Sequence, residues 1–233
     1  MTDFFFNNQL SIFKIVVSVA VTYVVMSFGE HAVHQKMMHK KVLPSWVYKK
    51  WDYMGEVYDA HAVRHHGVWY RDFDYESNPV GRTENIELRL VETLWLLVLM
   101  SPIIALLFAA LPVAAVVFVA MMFIHSRLWN ILHTEMHMPE NKFFAKWAIF
   151  RWLACHHYMH HRATNKNFNI VFPLADYLMG TKKEPGIKDL RELMRLGYIL
   201  PRSAQAKRKI AALQAKVNHE RLVAVQSLTP EMV

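Results

Sequence analysis

The sequence predicts an all-α integral membrane protein with about three transmembrane helices, a single span followed by a helical hairpin, and a cytosolic helical cap carrying a histidine-rich site for two metal ions. Three observations lead there. The hydrophobic fraction is 54%, with only 7 glycines in 233 residues, well above the usual soluble composition. Two stretches are apolar for long enough to cross a bilayer. The chain's 14 histidines gather mostly into four clusters beside those stretches.

The first element is the run from Leu10 to Phe28, in which Lys14 is the only charge. At roughly 1.5 Å per residue it can span the hydrocarbon core. A secretory signal would have a basic start, a shorter apolar centre and a small-residue cleavage site, whereas this run passes directly into Glu30-His31, so a retained first span is expected. Residues 31–90 then alternate basic and aromatic side chains (Lys40, Lys41, Trp46, Tyr48, Lys49, Lys50, Trp51, Tyr53, Tyr58, Trp69, Tyr70). Such residues settle at the headgroup level, so short helices along the membrane face are expected, broken at Pro44 and Gly55.

From Leu94 to Ile124 no charged residue occurs. One straight helix of that length would overshoot a core of about 30 Å. Extending the run to Leu88 and Leu132 gives a hairpin of two spans turning near Ala109-Ala110-Leu111-Pro112, with Pro102 tolerated as a kink. Of 27 Lys and Arg, only Lys14 precedes residue 31 and none lies between Arg89 and Arg127. The positive-inside rule therefore places the N terminus and the hairpin turn outside and the remainder in the cytosol.

Beyond the hairpin, residues 142–161 read as a helix whose apolar face (Phe143, Trp147, Phe150, Ala154) continues at the same spacing into His157 and His161. Residues 187–199 form a second amphipathic stretch (Ile187, Leu190, Leu193, Met194) ended by Pro201, and 202–227 a basic helix suited to resting on lipid or on the domain. The organisation expected is a membrane-embedded domain over 1–185 and a basic helical tail over 186–233. A net charge of +8 could suit nucleic acid, but its interleaving with Trp and Tyr around apolar runs favours an anionic membrane surface instead. The single Cys155 excludes an internal disulfide and suits a reducing compartment.

Chemistry is concentrated in His34-x4-His39, His61-x3-His65-His66, His133-x3-His137 and His157-x2-His160-His161. On α-helices, residues three and four apart share a face, so His61/His65, His133/His137 and His157/His161 can each offer two imidazoles to one centre. Imidazole suits borderline metals such as iron and zinc. Ten rings at one membrane surface are enough for two ions, since one ion rarely takes more than three or four histidines. His31, His125, His156 and His219 fall outside the clusters or beside them and are read as hydrogen-bonded or surface residues. Asp176, Glu135, Glu30 and Asp59 lie close enough to the clusters to orient an imidazole through its other nitrogen.

These clusters, in this order around apolar spans, resemble the fatty acid hydroxylase and sterol desaturase superfamily, and most closely the pattern HxxxxH, HxxHH, HxxxH, HxxHH of the fatty acid 2-hydroxylases. His34-Gln35-Lys36-Met37-Met38-His39, His133-Thr134-Glu135-Met136-His137 and His157-Tyr158-Met159-His160-His161 match the first, third and fourth boxes. Asn167-Phe168 and Asp176-Tyr177-Leu178-Met179-Gly180-Thr181 match the segments that this family carries after its last box, with Ala175 where the family usually has Trp. The second box departs, with three residues between His61 and His65-His66 where two are common. The match covers roughly residues 28–181.

The resemblance implies a membrane-bound non-haem oxygenase with two iron ions, replaceable by zinc in purified protein, that hydroxylates a C–H bond of a lipid using O2. Desaturation, and carotenoid or sterol oxidation, belong to the same superfamily, and a non-catalytic zinc-binding membrane protein is the reading from another class. No dinucleotide fingerprint, cysteine cluster or fused haem module occurs in the sequence, so electrons are expected from a separate carrier of ferredoxin or cytochrome b5 type. The partners expected are thus a membrane lipid and that carrier, with no nucleic acid.

Overall fold

A computed structural model describes residues 2–74 and 87–228, the side chains of 2–11, 225, 227 and 228 apart. All regular structure among them is helical. Helix α1 (Thr2–Val33) runs into a π-helical segment at His34–Met38, then α2 (Ser45–Lys50), α3 (Asp52–Tyr58) and a second π-helical segment at Asp59–Trp69. The hairpin comes next as α4 (Leu90–Ala110) and α5 (Pro112–His137), and a 3-10 turn at Phe143–Lys146 leads to α6 (Ala148–Arg162), α7 (Leu174–Leu178), α8 (Ile187–Arg195) and α9 (Ala204–Leu228).

Three helices are long and apolar enough to cross a membrane, over Ile12–Met38, Leu90–Ala110 and Pro112–His137. Their outward side chains are large and apolar, among them Val16, Phe13, Trp95, Leu99, Leu106 and Val116, which water would penalise and lipid accepts. The hairpin turns where expected, at Leu111. Pro112 at the start of α5 explains why, because it pushes the preceding residue out of helical geometry and its missing N–H costs nothing at a helix N-terminus. Pro102 sits inside α4 without ending it.

Helix α5 packs along both α1 and α4, and α1 also touches α7. Between spans, where apolar attraction gives no preference over lipid, small polar links set the register. Thr93 Oγ1 donates to Ser126 Oγ at 2.8 Å, and the Asn130 amide pairs with both backbone groups of Leu88, at 2.8 and 2.9 Å.

Several sequence expectations need correcting. Gly55 lies inside α3, and the break falls at Trp51, whose φ of −131° and ψ of 85° are non-helical. The helix expected over 142–161 begins only at Ala148, so Phe143 and Trp147, at 76% and 53% exposure, are not part of its buried face. Helix α8 stops at Arg195, where Gly197 takes φ 81°, and Ile187 is exposed. The expected membrane-face segment over 31–90 includes residues 75–86, which lie outside the described residues, as does the end of the tail beyond 228.

Candidate metal centre

The two π-helical segments determine how the histidines are sorted. An α-helix stacks residues four apart, whereas a π turn closes five apart. His39 N donates to His34 O and Tyr70 N to His65 O, at 3.2 and 2.9 Å, both five-residue steps. His34 and His39 therefore share a face, and so do His61 and His66. The expectation that His61 and His65 serve one centre fails for this reason: the π turn sends them to different ones.

The ten histidines form two groups of five, each with one ring nitrogen per residue within 4.8 Å of the others: His34, His39, His61, His66 and His160, and His65, His133, His137, His157 and His161. Each group is thus two same-face pairs plus one single ring. The first takes its pairs from the π segments and its single ring from α6. The second takes α-helical pairs from α5 and α6 and its single ring from the second π segment. The sequence neighbours His65/His66 and His160/His161 divide between the groups, which holds the two sites side by side.

The donor set fits metal ions. An ion at about 2.0–2.1 Å from each nitrogen would separate adjacent ligands by about 3 Å. The Nε2 atoms of His34 and His61 are 2.7 Å apart, those of His39 and His160 2.9 Å, those of His61 and His66 3.1 Å, and those of His137 and His157 2.9 Å. Backbone carbonyls fix the tautomers. His34 Nδ1 donates to Phe168 O in a short bond, His137 Nδ1 to Phe73 O at 2.6 Å and His160 Nδ1 to Lys166 O at 2.7 Å. A neutral ring protonated at Nδ1 has its Nε2 lone pair available, and all three lone pairs point into the groups. Both nitrogens of His65, Nδ1 of His61, His66 and His157, and Nε2 of His161 find no hydrogen-bond partner among the described residues. A cation would satisfy His161 Nε2 and one nitrogen of His65, whereas His61, His66 and His157 already turn Nε2 into the groups and leave Nδ1 on the far side of the ring.

Burial sets the charge state. It depresses the pKa of His61, His65, His66, His157 and His161 well below the ordinary value, that of His39 to about 4 and that of His160 to about 3, and repulsion among the rings adds to it for all but His39. Neutral imidazoles are the form that binds metal.

Three of the four carboxylates hold backbone rather than the ten rings, and the fourth pairs with a lysine. Asp59 pairs with Lys41 at 3.1 Å on the surface. Glu135 accepts the N–H groups of Glu140 and Lys142, each at 3.1 Å, and so holds the loop after α5. Glu30 accepts the successive N–H groups of Ile170, Val171 and Phe172 at 2.6, 3.0 and 3.1 Å, with His125 Nε2 3.4 Å away. Asp176 accepts from Phe168 N, Asn169 N, Thr181 Oγ1 and His156 Nε2, at 3.0, 2.7, 2.6 and 2.9 Å. Burial opposes its ionisation, but the bonds from His156 and Thr181 prevail and hold its carboxyl below the usual range.

His156 is therefore a partner of Asp176, and His31 bonds Thr181 Oγ1 at 2.9 Å. Neither joins a histidine group, and His125 does not either. The two short stretches beyond the last cluster, at Asn167-Phe168 and Asp176–Thr181, are joined to each other, since Asn167 N donates to Thr181 O at 3.1 Å. Asn167 has φ 52°, a left-handed geometry that Asn tolerates, and this turn delivers the Phe168 carbonyl to His34. The carbonyls of Phe73, Lys166 and Phe168 are functional atoms that sequence reasoning missed. The signal that could have revealed the π turns was the repeated spacing of five, 34/39 and 61/66, which no α-helix puts on one face.

Asp176→Ala removes the acceptor that fixes the Phe168 segment, and should cost about 1–3 kcal/mol for each buried donor left unsatisfied and weaken an ion held by the first group about 10–100-fold. Thermal unfolding in detergent and metal titration check the two effects. Glu30→Ala strips three backbone donors of their acceptor, at about 1–3 kcal/mol for each group left unsatisfied. Its signature should be faster proteolysis within residues 169–173 than in the parent chain.

A cavity of about 430 Å³ lies against His161 on the side formed by α8 and α9, lined by Arg71, Arg162, Glu192 and Arg221 beside Phe73 and Tyr158. In comparisons with known proteins, no family model, curated protein or solved structure matches the chain.

Proposed function

We propose that the chain is a membrane-bound non-haem oxygenase that holds two iron ions in its two five-histidine groups and hydroxylates a C–H bond of a lipid, a fatty acyl or related chain, with O2 and electrons from a separate carrier. The observation that carries this reading is the sorting of ten buried or nearly buried imidazoles into two adjoining groups at the ends of apolar helices. Five donors per group exceed the four of a closed structural zinc site and suit an ion of higher coordination number. The order and spacing of the clusters, which resemble the fatty acid hydroxylase and sterol desaturase superfamily, supply the reaction class. Iron, when bound, supplies the activation of O2 towards an unactivated C–H bond. The overall balance is R–H, O2, two electrons and two protons giving R–OH and water.

The chain's own residues do the remaining work. Neutral rings add no charge to the site, and the carbonyls of Phe73, Lys166 and Phe168 keep Nε2 of His137, His160 and His34 directed inward. Packed aromatic residues limit water, with Tyr70, Phe73 and Phe168 at 0–2% exposure around the histidines. The charged lining of the cavity at His161 suits water and protons rather than an alkyl chain, so the lipid carbon is expected from the membrane side. Of the 27 Lys and Arg, 26 follow residue 31, which supports a cytosolic location for the histidine cap. Exposed Trp46, Trp51, Trp147 and Trp152 support its lying at the headgroup level.

The test is a lipid survey by mass spectrometry of cells with and without the chain under 18O2, together with metal analysis of the purified protein. The expected result is one lipid class heavier by a single 18O atom and two irons per chain. Two irons with no lipid changed would overturn the reading. Loss of two hydrogens without gain of oxygen would make the enzyme a desaturase.

A further inference from the structure

Helix α9 lies outside the histidine clusters, yet it reaches the second histidine group through a single carboxylate. Asp74 accepts two bonds from Arg195 on α8, at 2.8 and 3.1 Å, and two from Arg221 on α9, at 2.7 and 3.2 Å. Bidentate guanidinium pairs of this kind fix direction as well as position. Arg195 is 6% exposed, it also bonds Glu192 at 2.6 Å, and its carbonyl accepts Gln214 Nε2 of α9 at 2.6 Å. Burial opposes the charge on Asp74, and the bonds from Arg221 and Arg195 outweigh it, leaving the carboxyl below its ordinary pKa.

The residue before Asp74 is Phe73, whose carbonyl receives the Nδ1 proton of His137. Phe73 adopts φ 69°, a left-handed geometry that a bulky residue keeps only where its surroundings over-determine it. Its ring is 2% exposed against His137, Tyr158 and His161, its N–H bonds Tyr70 O at 3.0 Å, and Asp74 anchors its other side. Releasing Asp74 would let the peptide relax and the carbonyl turn away from His137. That ring would then lose both its orientation and its tautomer.

We propose that Asp74, held by Arg195 and Arg221, is a positioning residue for the second histidine group, so that the C-terminal helix governs the occupancy of one of the two metal sites. This rests on the two-ion reading of the histidine groups. The first group takes its orientation from Phe168 and Lys166 instead, so the effect is confined to one ion.

The test is titration of the full-length, metal-stripped chain in detergent with Co(II), following bound metal per chain and the cobalt absorption bands. The parent should bind two ions. Asp74→Asn and Arg221→Ala should each weaken one binding step about 10–100-fold, the range for loss of a group that orients a metal ligand, and alter the bands of that ion only. Arg221→Lys, which keeps the charge but not the two-pronged geometry, should fall between. Lys216→Ala, on the exposed face of the same helix, should change neither step. Two unweakened ions in Asp74→Asn, or equal weakening of both ions in Asp74→Asn and Arg221→Ala, would overturn the proposal alone. If Asp74→Asn does not fold, Arg221→Ala decides by the same ratio. A parent chain that binds no cobalt would overturn the two-ion reading and this one with it.

Discussion

Replacing His160 by alanine is expected to abolish lipid oxidation and to weaken the binding of one of the two ions, and His65→Ala should do the same to the other. Each residue is the single ring that completes a group otherwise made of two same-face pairs, so its loss removes a donor that no helix neighbour replaces. Losing a ligand should exceed the roughly 10–100-fold that loss of an orienting partner costs. Under the proposed function, two ions adjoining through His65/His66 and His160/His161 would act as one unit. The double variant His65→Ala/His160→Ala should therefore lose no more turnover than either single one, as for other residues that work together. Oxygenated lipid and metal per chain measured on the same preparation separate this from general damage, with His219→Ala on the tail retaining both. Two tightly bound ions in His160→Ala would remove it from the site.

The spans and the hairpin were legible because lipid imposes a length and a polarity that composition alone reveals, and Pro112 marked the turn. The ten ring positions were legible too, because their number and placement exceed what packing needs. Their division between two sites was not. Helical spacing of four joins His61 to His65, and only the backbone shows that a π turn joins His61 to His66. Orientation was equally hidden. Glu30, Asp59, Glu135 and Asp176 were candidates as titratable groups near histidines, but main-chain carbonyls hold the rings, and a carbonyl has no sequence signature. Asp74 drew no attention because its partners, Arg195 and Arg221, lie more than a hundred residues away. The fit of Phe143 and Trp147 to a helical stripe misled because the 3-10 turn at 143–146 breaks the period before α6 begins.

The metal-stripped protein should lose its histidine cap sharply on acidification, and the sign comes from the ring pKa values. Seven rings outside the spans, His39, His61, His65, His66, His157, His160 and His161, have folded-state values below 6.5, with His39 near 4 and His160 near 3. Below pH 6.5 the unfolded chain takes up protons that the folded one refuses, so stability is present above that pH and is lost as pH falls towards the folded values. Each site contributes up to about 1.4 kcal/mol per pH unit. Seven rings acting in the same direction make this a large share of the stability of a typical domain, about 5–15 kcal/mol. The cap should therefore lose stability as pH falls below 6.5 towards the folded-state value of about 4 for His39. Bound metal competes with those protons and should move the midpoint lower. Tryptophan fluorescence and limited proteolysis between pH 7 and 4, with chelator and with added Zn(II), measure both midpoints. A cap intact at pH 4 without metal would mean that these imidazoles are not the buried neutral set on which both centres depend.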